Sequence, residues 1–285
     1  MSERAPTPGS GLAGIPCRPG VAKPDPILVV EGVRRTFGGL IAVDVDRLEI
    51  QTGVITALIG PNGAGKTTLF NLLTGFDRPE AGTWSFDGHP LAGASPHRIA
   101  QYGMLRTFQL TKALPRMTVL ENMMLGAAHH RGERFFPALL RPLWSRRERE
   151  VEDKAMGLLR RFQLDHMRRE LAGTLSGGQR KLLEMARALM AEPKLLMLDE
   201  PMAGVNPALT QSLLGHITEL RGEGRSVLFI EHDMDVVMGI SDWVVCLAQG
   251  RVIAEAPPRG IGSNRAVVDA YLGAHHDEPA ERKGR

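Results

Sequence analysis

A glycine-rich stretch at residues 60–68 constrains the fold of this chain more than any other feature. It fits the pattern G-x-x-x-x-G-K-[ST] without a mismatch. An apolar, β-branched run at 54–59 predicts a buried strand before it, and residues 66–74 predict a helix after it. Strand, glycine loop and helix in this order predict a phosphate-binding loop, made of Gly60, Pro61, Asn62, Gly63, Ala64, Gly65, Lys66, Thr67 and Thr68.

The chemistry of this loop follows from its residue types. Glycines allow backbone conformations that turn successive N–H groups towards phosphate oxygens, and the helix N-terminus adds the positive end of a dipole. Lys66 is expected to bridge the β- and γ-phosphates, and the Thr67 hydroxyl to bind Mg²⁺. The alternative is a glycine-rich turn with a chance lysine, but the strand and helix that flank the loop argue against it.

The composition is that of an ordinary globular protein. Hydrophobic residues make up 43% of the 285 and charged residues 24%. No uninterrupted apolar run approaches the roughly 18–20 residues of a spanning helix, and the N-terminus lacks a secretory layout, so we expect a cytoplasmic protein. Of the two cysteines, Cys17 lies in a tail and Cys246 in a predicted strand, which disfavours a disulfide. The net charge of +3 is mildly basic, but no nucleic-acid-reading motif accompanies it and no nucleic-acid partner is expected.

Between two predicted tails the chain alternates strands and helices. Residues 1–26 are rich in proline and glycine and are expected to be disordered, as is a flexible tail at 274–285. Strands are predicted near 27–33, 41–50, 54–60, 104–108, 194–199, 226–231 and 243–248. Helices are predicted near 66–75, 96–102, 118–127, 148–163, 177–191, 208–221, 234–240 and 264–272. This alternation predicts an α/β fold with a largely parallel sheet covered by helices.

A second motif, Leu-Ser-Gly-Gly-Gln at 175–179, lies about 110 residues after the glycine loop. Alone, Ser-Gly-Gly is also typical of an ordinary helix N-cap. The two motifs in this order resemble the ATP-binding subunits of ABC transporters. The resemblance covers about 27–273 and implies a P-loop NTPase core with a mostly parallel sheet, an antiparallel β part and an inserted α-helical subdomain at about 110–190.

The same resemblance implies that ATP and Mg²⁺ bind and that two cassettes enclose the nucleotide. The chain has one phosphate loop, so a second ABC ATPase chain is needed to complete the unit. Ser176 and Gly178 of one chain, with the neighbouring Gln179, would then close over the γ-phosphate held by the other. At 202–207 the chain reads Met-Ala-Gly-Val-Asn-Pro, where many ABC ATPases have Ser-Ala-Leu-Asp. Whether Asn206 contacts the second chain therefore stays open.

Three further residues fall where the resemblance requires them. Asp199 ends the apolar run at 194–199 and would hold Mg²⁺, and Glu200 would polarise the attacking water. The Asp-Glu pair could instead cap the next helix. His232 follows the predicted strand at 226–231 and occupies the position of the family's switch histidine, although a lone histidine is more often structural.

Gln109 and Phe37 complete the implied site. Gln109, in Arg-Thr-Phe-Gln at 106–109, would reach Mg²⁺ or the lytic water and link the site to the helical subdomain. Phe37 lies 23 residues before Gly60, about where the family stacks an aromatic ring on adenine. The alternative for Phe37 is an ordinary core or edge-strand aromatic.

Several short segments resemble the ATPases of branched-chain (hydrophobic) amino-acid importers: 106–109 with 117–122, 203–207, 231–234 and 267–273. That branch implies permease subunits, a solute-binding protein and a peripheral position on the inner face of the cell membrane. Urea or amide importers and lipopolysaccharide exporters share much of this pattern and remain open. So do a non-transport ABC protein and a regulatory ATPase that binds nucleic acid.

The stretch 131–149 combines six arginines and two glutamates with six large apolar side chains. Pro137 and Pro142 argue against one continuous helix. A solvated insertion explains the composition, and so does a patch that faces anionic lipid beside a permease.

Overall fold

The computed structural model describes residues 10–107, 113–127 and 141–274. Its strands are β1 (Pro26–Phe37), β2 (Leu40–Gln51), β3 (Ile55–Ile59), β4 (Ala81–Phe86), β5 (His89–Pro90), β6 (Met104–Thr107), β7 (Leu195–Asp199), β8 (Ser226–Ile230), β9 (Trp243–Ala248) and β10 (Arg251–Ala256). Its α-helices are α1 (Lys66–Leu73), α2 (Pro96–Tyr102), α3 (Val119–Met124), α4 (Arg141–Arg161), α5 (Gly177–Leu189), α6 (Pro207–Gly222), α7 (Met234–Ile240), α8 (Pro258–Ile261) and α9 (Arg265–Ala274).

The central sheet has the strand order β10-β9-β3-β8-β7-β6. Pairing is parallel from β9 through β3, β8 and β7 to β6, and antiparallel only at the β9–β10 edge. The carboxyl ends of the parallel strands therefore meet at one edge of the sheet, which is where α/β folds bind ligands. This arrangement confirms the predicted α/β fold with a mostly parallel sheet.

Strand β3 shows why this sheet is central. All five of its residues are buried, and successive side chains point to opposite faces. Ile55, Ala57 and Ile59 belong to one apolar core with α5 and α6, whereas Leu58 belongs to a second core with α1 and the smaller sheet. The residues that follow β3 are thus held between two packed layers, which gives the glycine loop a rigid base.

The smaller sheet is antiparallel, with the order β2-β1-β4-β5. It packs beside the turn between β9 and β10, where the Asp44 N–H donates to the Gly250 carbonyl at 2.8 Å. The guanidinium of Arg251 lies 2.7 Å from the Asp44 carboxylate across the same junction. This sheet is the antiparallel part expected beside the nucleotide core.

Between β6 and β7 the described residues form helices with a single isolated bridge, Thr118 to Leu171. Helix α3 starts in a capping box, because the Thr118 hydroxyl accepts from the Glu121 N–H and the Glu121 carboxylate accepts from the Thr118 N–H. Helices α3, α4 and α5 pack on one another around Met123, Leu159 and Leu183.

The structure differs from the sequence-based expectation at the N-terminus. Disorder was expected throughout 1–26, yet the described part, from residue 10 onwards, packs on the protein. Leu12 and Val21 lie in the second core, and the Lys23 ammonium lies 2.8 Å from the buried Glu255 carboxylate. The prolines and glycines in this segment allow an irregular path, while a few apolar side chains and one charge hold it down. Residues 1–9 and 275–285 lie outside the described residues.

Strands β4, β5 and β10 and helix α8 were not predicted from the sequence. The first three residues of β4 are exposed, so the strand lacks an apolar signal there. Strand β10 carries two charged residues, Arg251 and the buried Glu255, which interrupt the apolar pattern of a buried strand. Glu255 can be buried because Lys23, 232 residues away in the chain, neutralises it.

Candidate functional site

The glycine loop connects β3 to α1, and two of its glycines are required by space as well as by backbone angle. Gly60 has φ +149° and Gly65 has φ +99°. A Cβ atom on Gly60 would lie 2.0 Å from the Leu247 carbonyl oxygen, and one on Gly65 would lie 2.1 Å from that of Ala42. The loop is therefore pressed against β9 and β2, and any other residue at these positions would displace it.

Lys66, the first residue of α1, folds back over this loop. Its ammonium donates to the carbonyls of Gly60 at 2.6 Å and Pro61 at 2.9 Å. Burial lowers the pKa of Lys66, while electrostatic interaction, first with Glu200 and also with Asp199, raises it. Lys66 is thus a partly desolvated cation that shares one electrostatic environment with the two predicted carboxylates.

Thr67 and Thr68 lie in the first turn of α1, where Gly65 caps the helix without a side-chain hydrogen bond. Thr67 is exposed. The backbone N–H groups at this helix end are suited to bind an anion, because they are unpaired within the helix and carry the positive end of its dipole.

Asp199 and Glu200 lie at the carboxyl end of β7. The Asp199 carboxylate accepts from the Arg106 guanidinium at 2.6 Å. Glu200 has the left-handed φ of +47°, and its N–H donates to the Ile230 carbonyl on β8 at 3.1 Å. A left-handed non-glycine residue costs about 1–3 kcal/mol, and such conformations cluster at functional sites. Here the conformation leaves the Glu200 side chain exposed.

His232 follows β8 directly, with about 67% of its side chain exposed. Its Nδ1 lies 3.8 Å from the carboxylate of Glu231, which is buried. Burial raises the pKa of Glu231, opposed by its hydrogen bonds from the backbone N–H groups of Met202 and His232. Glu231 therefore holds the loop that follows Glu200, and it leaves the imidazole of His232 in solvent.

The Leu-Ser-Gly-Gly-Gln motif begins α5. Ser176 is the N-cap, and its hydroxyl accepts from the Gln179 N–H at 3.2 Å. The Gln179 side chain accepts in turn from the Ser176 N–H at 2.9 Å and donates to the Met167 sulfur at 3.4 Å. A Cβ on Gly178 would lie 1.8 Å from a Leu209 methyl group. Within one chain the motif thus acts as a helix N-cap, and its contact with nucleotide stays a prediction.

Lys181, one turn further along α5, ties this helix to the loop after β7. Its ammonium donates to the Pro201 carbonyl at 3.0 Å and also to the Ala203 carbonyl. Burial lowers the pKa of Lys181, opposed by Glu231, Glu184 and Glu200. Helix α5 and the loop that carries Glu200 are therefore connected within one chain.

Phe37 ends β1 and is 49% exposed. The Arg35 guanidinium lies 4.6 Å from its ring centroid. Because β1 lies between β2 and β4, Phe37 is an exposed residue at the end of an inner strand. Its ring surface is accessible to a stacking base.

Gln109 lies outside the described residues, together with Phe108. The strand that leads to it, β6, is described to Thr107, which pairs with Leu198 on β7. The implied role of Gln109 therefore stays a prediction. The described part of the basic stretch at 131–149 begins at Arg141, so both interpretations, a solvated insertion and a lipid-facing patch, stay predictions.

The oxygen donors present are suited to Mg²⁺. Thr67 offers a hydroxyl and Asp199 a carboxylate, and Mg²⁺ on nucleotides takes one or two protein oxygens beside phosphates and waters. Within 10–107, 113–127 and 141–274 no group of three or more His, Cys, Asp or Glu side chains offers an all-protein metal site. Binding of Mg²⁺ by Thr67 and Asp199 therefore stays a prediction.

Three residues of this site were not singled out from the sequence as site residues: Arg106, Asn71 and Tyr271. Arg106 bridges Asp199 and Asn71, and the Tyr271 hydroxyl accepts from the Gly60 N–H at 2.9 Å. The one sequence signal that could have identified Arg106 is its charge inside a predicted buried strand.

A phosphate loop between β3 and α1, faced by carboxylates at the end of β7, defines a P-loop nucleotide-binding domain. The sequence profile described as "ABC transporter" matches residues 43–203. The chain belongs to the ABC transporter family, as one of its ATP-binding cassettes. Cassettes of this family hydrolyse ATP in transport, and the chain is an ATPase of this kind.

Curated relatives extend the match to nearly the whole chain. A branched-chain amino acid transport ATP-binding protein LivG of Archaeoglobus fulgidus is 42% identical, over 88% of this chain and 97% of its own length. The high-affinity branched-chain amino acid transport ATP-binding protein BraF of Pseudomonas aeruginosa is 43% identical, over 87% of this chain and 98% of its own. The corresponding LivG of Escherichia coli is 43% identical with the same coverage.

Solved structures agree with the fold. The ADP conformation of an ATP-binding cassette of an ABC transporter is similar with a TM-score of 0.75 and 37% identity, covering 87% of this chain and 99% of that one. A nucleotide-free ATP-binding cassette gives the same TM-score and identity. The P-loop NTPase fold predicted from the sequence is therefore confirmed.

Proposed function

We propose that this chain is the ATP-hydrolysing subunit of an importer of branched-chain amino acids. The observation that carries the proposal is the similarity, over nearly their full length, to relatives named for branched-chain amino acid transport. The geometry of the loop, Asp199 and Glu200 supports the ATPase part. Among the described residues no helix is long and apolar enough to cross a bilayer. From the similarity to these transport proteins we assign translocation to separate permease subunits and place this chain on the cytoplasmic face.

Nucleotide binding starts at the glycine loop. Lys66 exchanges its hydrogen bonds to Gly60 and Pro61 for phosphate oxygens, which are stronger acceptors because they are charged. The N–H groups of residues 63–68 at the start of α1 surround the phosphates. Thr67 and Asp199 would hold Mg²⁺, which when bound neutralises charge on the β- and γ-phosphates. Phe37 stacks on the adenine ring.

Hydrolysis is assigned to Glu200 and His232. Glu200 orients the attacking water and accepts its proton, and the left-handed backbone fixes where the carboxylate projects. His232 contacts the γ-phosphate, and its exposed ring is open to such a ligand. Gln109 supports the water or the metal ion.

Two chains are needed for a complete site. Ser176 and Gly178 begin α5, so the N-terminus of that helix presents N–H groups and a hydroxyl to the γ-phosphate of an opposing chain. Lys181 connects α5 to the loop that carries Glu200. When α5 closes on the nucleotide of the opposing chain, the movement is therefore transmitted to Glu200, which acts on the nucleotide of its own chain. Closing and reopening of the pair then drive the permease.

Reconstitution tests the proposal. The chain is incorporated into proteoliposomes with the permeases and solute-binding protein encoded beside it, and uptake of labelled leucine, urea and a short amide is compared. We expect ATP-dependent uptake of leucine, abolished when Lys66→Ala replaces the native chain. Uptake of urea or amide alone, or export of a lipid, would overturn the substrate class. Failure to associate with any permease, combined with salt-sensitive DNA binding, would overturn a role in transport.

A further inference from the structure

Arg106 lies buried between the glycine-loop helix and the strand that carries the catalytic carboxylates. Its side chain is 2% exposed and that of Asp199 is 7% exposed. One arm of the guanidinium, Nη2, donates to Asp199 Oδ2 at 2.6 Å, and the other, Nη1, donates to Asn71 Oδ1 at 2.5 Å. The ring of Phe70 lies beneath, with its centroid 5.5 Å from Arg106 Cζ. One planar group thus joins three elements: α1, β6 and β7.

The two partners of Arg106 are related to the two expected ligands of Mg²⁺. Asn71 lies four residues after Thr67 on α1, so the two side chains share one face of the helix. Asp199 is itself the second expected ligand. Arg106 therefore connects the helix face that carries the Thr67 hydroxyl to the strand end that carries the Asp199 carboxylate.

The chemistry of this link requires arginine. A guanidinium is planar and presents its N–H groups in a fixed fork, so both partners are held at a set separation and angle. A lysine in its place would supply one flexible point charge. β6 supports the fork rigidly, because Arg106 pairs with Met197 on β7 and Phe70 packs against it.

We propose that Arg106 is a positioning residue that holds the Thr67 hydroxyl and the Asp199 carboxylate in register for nucleotide-bound Mg²⁺. The proposal rests on the function proposed above, since it concerns the same nucleotide site. Arg106 acts through Asp199 and Asn71. Its loss should therefore weaken the contribution of Mg²⁺ to nucleotide affinity while leaving the contacts of Lys66 and the loop amides intact.

Binding of adenylyl imidodiphosphate, measured by calorimetry in excess MgCl₂ and again in excess EDTA, tests the proposal. The dissociation constant in EDTA divided by that in MgCl₂ gives the factor by which Mg²⁺ increases the affinity, and this quotient is the ratio compared between variants. For Arg106→Met we expect this ratio to fall about tenfold or more, the usual loss when a partner of a metal ligand is removed. The constant in EDTA should stay close to that of the native protein. Arg106→Lys should restore part of the ratio.

Arg221→Met is the matched control. Arg221 forms a partly buried ion pair with Asp242 at 2.8 Å, on α6 and away from the loop. The ratio for the Arg221→Met variant should equal that of the native protein. Asn71→Ala removes only the link to α1, and it should lower the ratio less than Arg106→Met does. This variant keeps the proposal testable if Arg106→Met fails to fold.

Three results would overturn the proposal: dissociation constants that stay unchanged in both Arg106→Met and Asn71→Ala, constants that rise by the same factor with and without Mg²⁺, or a higher ratio. Equal losses would show that Arg106 only supports the fold, and a higher ratio would show that it competes with the metal for Asp199. If the native protein gains nothing from MgCl₂, or Lys66→Ala binds the analogue equally well, the proposed function itself fails. That result is distinguishable because it does not depend on Arg106.

Discussion

The hydroxyl of Tyr271, on the last helix, accepts a hydrogen bond of 2.9 Å from the backbone N–H of Gly60, the first residue of the glycine loop. The two residues are 211 positions apart in the chain. Burial raises the pKa of Tyr271, opposed by this hydrogen bond, so the phenol stays protonated at neutral pH. Helix α9 thus contacts the loop that binds phosphate.

Tyr271→Phe should therefore weaken the loop. Gly60 is buried, and leaving its N–H without an acceptor costs about 1–3 kcal/mol. We expect the free energy of unfolding, measured with urea, to fall by about that amount and ATP affinity to weaken with it. Tyr102→Phe is the control, because the Tyr102 hydroxyl accepts from Arg98 on an exposed surface. Equal effects of the two changes would argue against a special role for Tyr271.

Glu200→Gln should stop hydrolysis while preserving ATP binding. The amide keeps the shape of the side chain but cannot accept the proton of the attacking water, a role worth about 10²–10⁴ in rate. Phosphate release gives the rate, and gel filtration with ATP should show a stable dimer. Glu152→Gln, on the exposed side of α4, is the control. Near-normal turnover by Glu200→Gln would remove Glu200 from the mechanism.

Ser176 should act on the nucleotide of the partner chain. A mixture of Ser176→Arg chains with Lys66→Ala chains should recover some ATPase activity, since one of the two sites in the mixed dimer is intact. Ser176 also caps α5, and losing an N-cap costs about 1 kcal/mol, so the thermal midpoint of Ser176→Arg must be measured too. Full activity of Ser176→Arg alone would refute the shared site.

The two cysteines should differ in reactivity. Burial raises the pKa of the Cys246 thiol to about 12, against the opposing charge of Lys66. At pH 8 about one thiol in ten thousand would then be ionised, and only thiolates react. Cys17 is exposed. Ellman's reagent should therefore titrate one thiol in the native protein and two in guanidinium, and Cys17→Ser should abolish the native reaction. Fast reaction at Cys246 would show that β9 opens readily.

Sequence alone predicts the parts of this protein whose residue types are set by chemistry. The glycine loop is one example, because phosphate contact and the crowding at Gly60 both require glycine. The parallel strands are another, since they are buried on both faces and read as continuous apolar runs. The structure and the solved cassettes confirm the fold, whereas the phosphate contacts of the loop stay a prediction. The roles of Glu200, His232 and Ser176 remain predictions, although the structure places each at the end of the expected element.

Features that depend on distant partners could not be predicted. The Arg106–Asp199 contact joins residues 93 positions apart. Strand β4 depends on the close approach of Gly82 to Gly32, where a Cβ on Gly82 would lie 2.3 Å from the Gly32 backbone. The left-handed backbone of Glu200 is imposed by its N–H bond to Ile230, whereas local propensity disfavours it. Each arises from packing between elements.

The buried Lys23–Glu255 pair sets an order of events during synthesis. Glu255 emerges from the ribosome 232 residues after Lys23, so the Lys23 ammonium lacks this carboxylate partner until β10 has been made. Both side chains are at most 1% exposed in the finished protein, and burying either charge alone is strongly unfavourable. Burial of Lys23 in the N-terminal segment therefore waits for Glu255. A nascent chain halted before residue 255 should leave this segment open to protease, and the released protein should protect it.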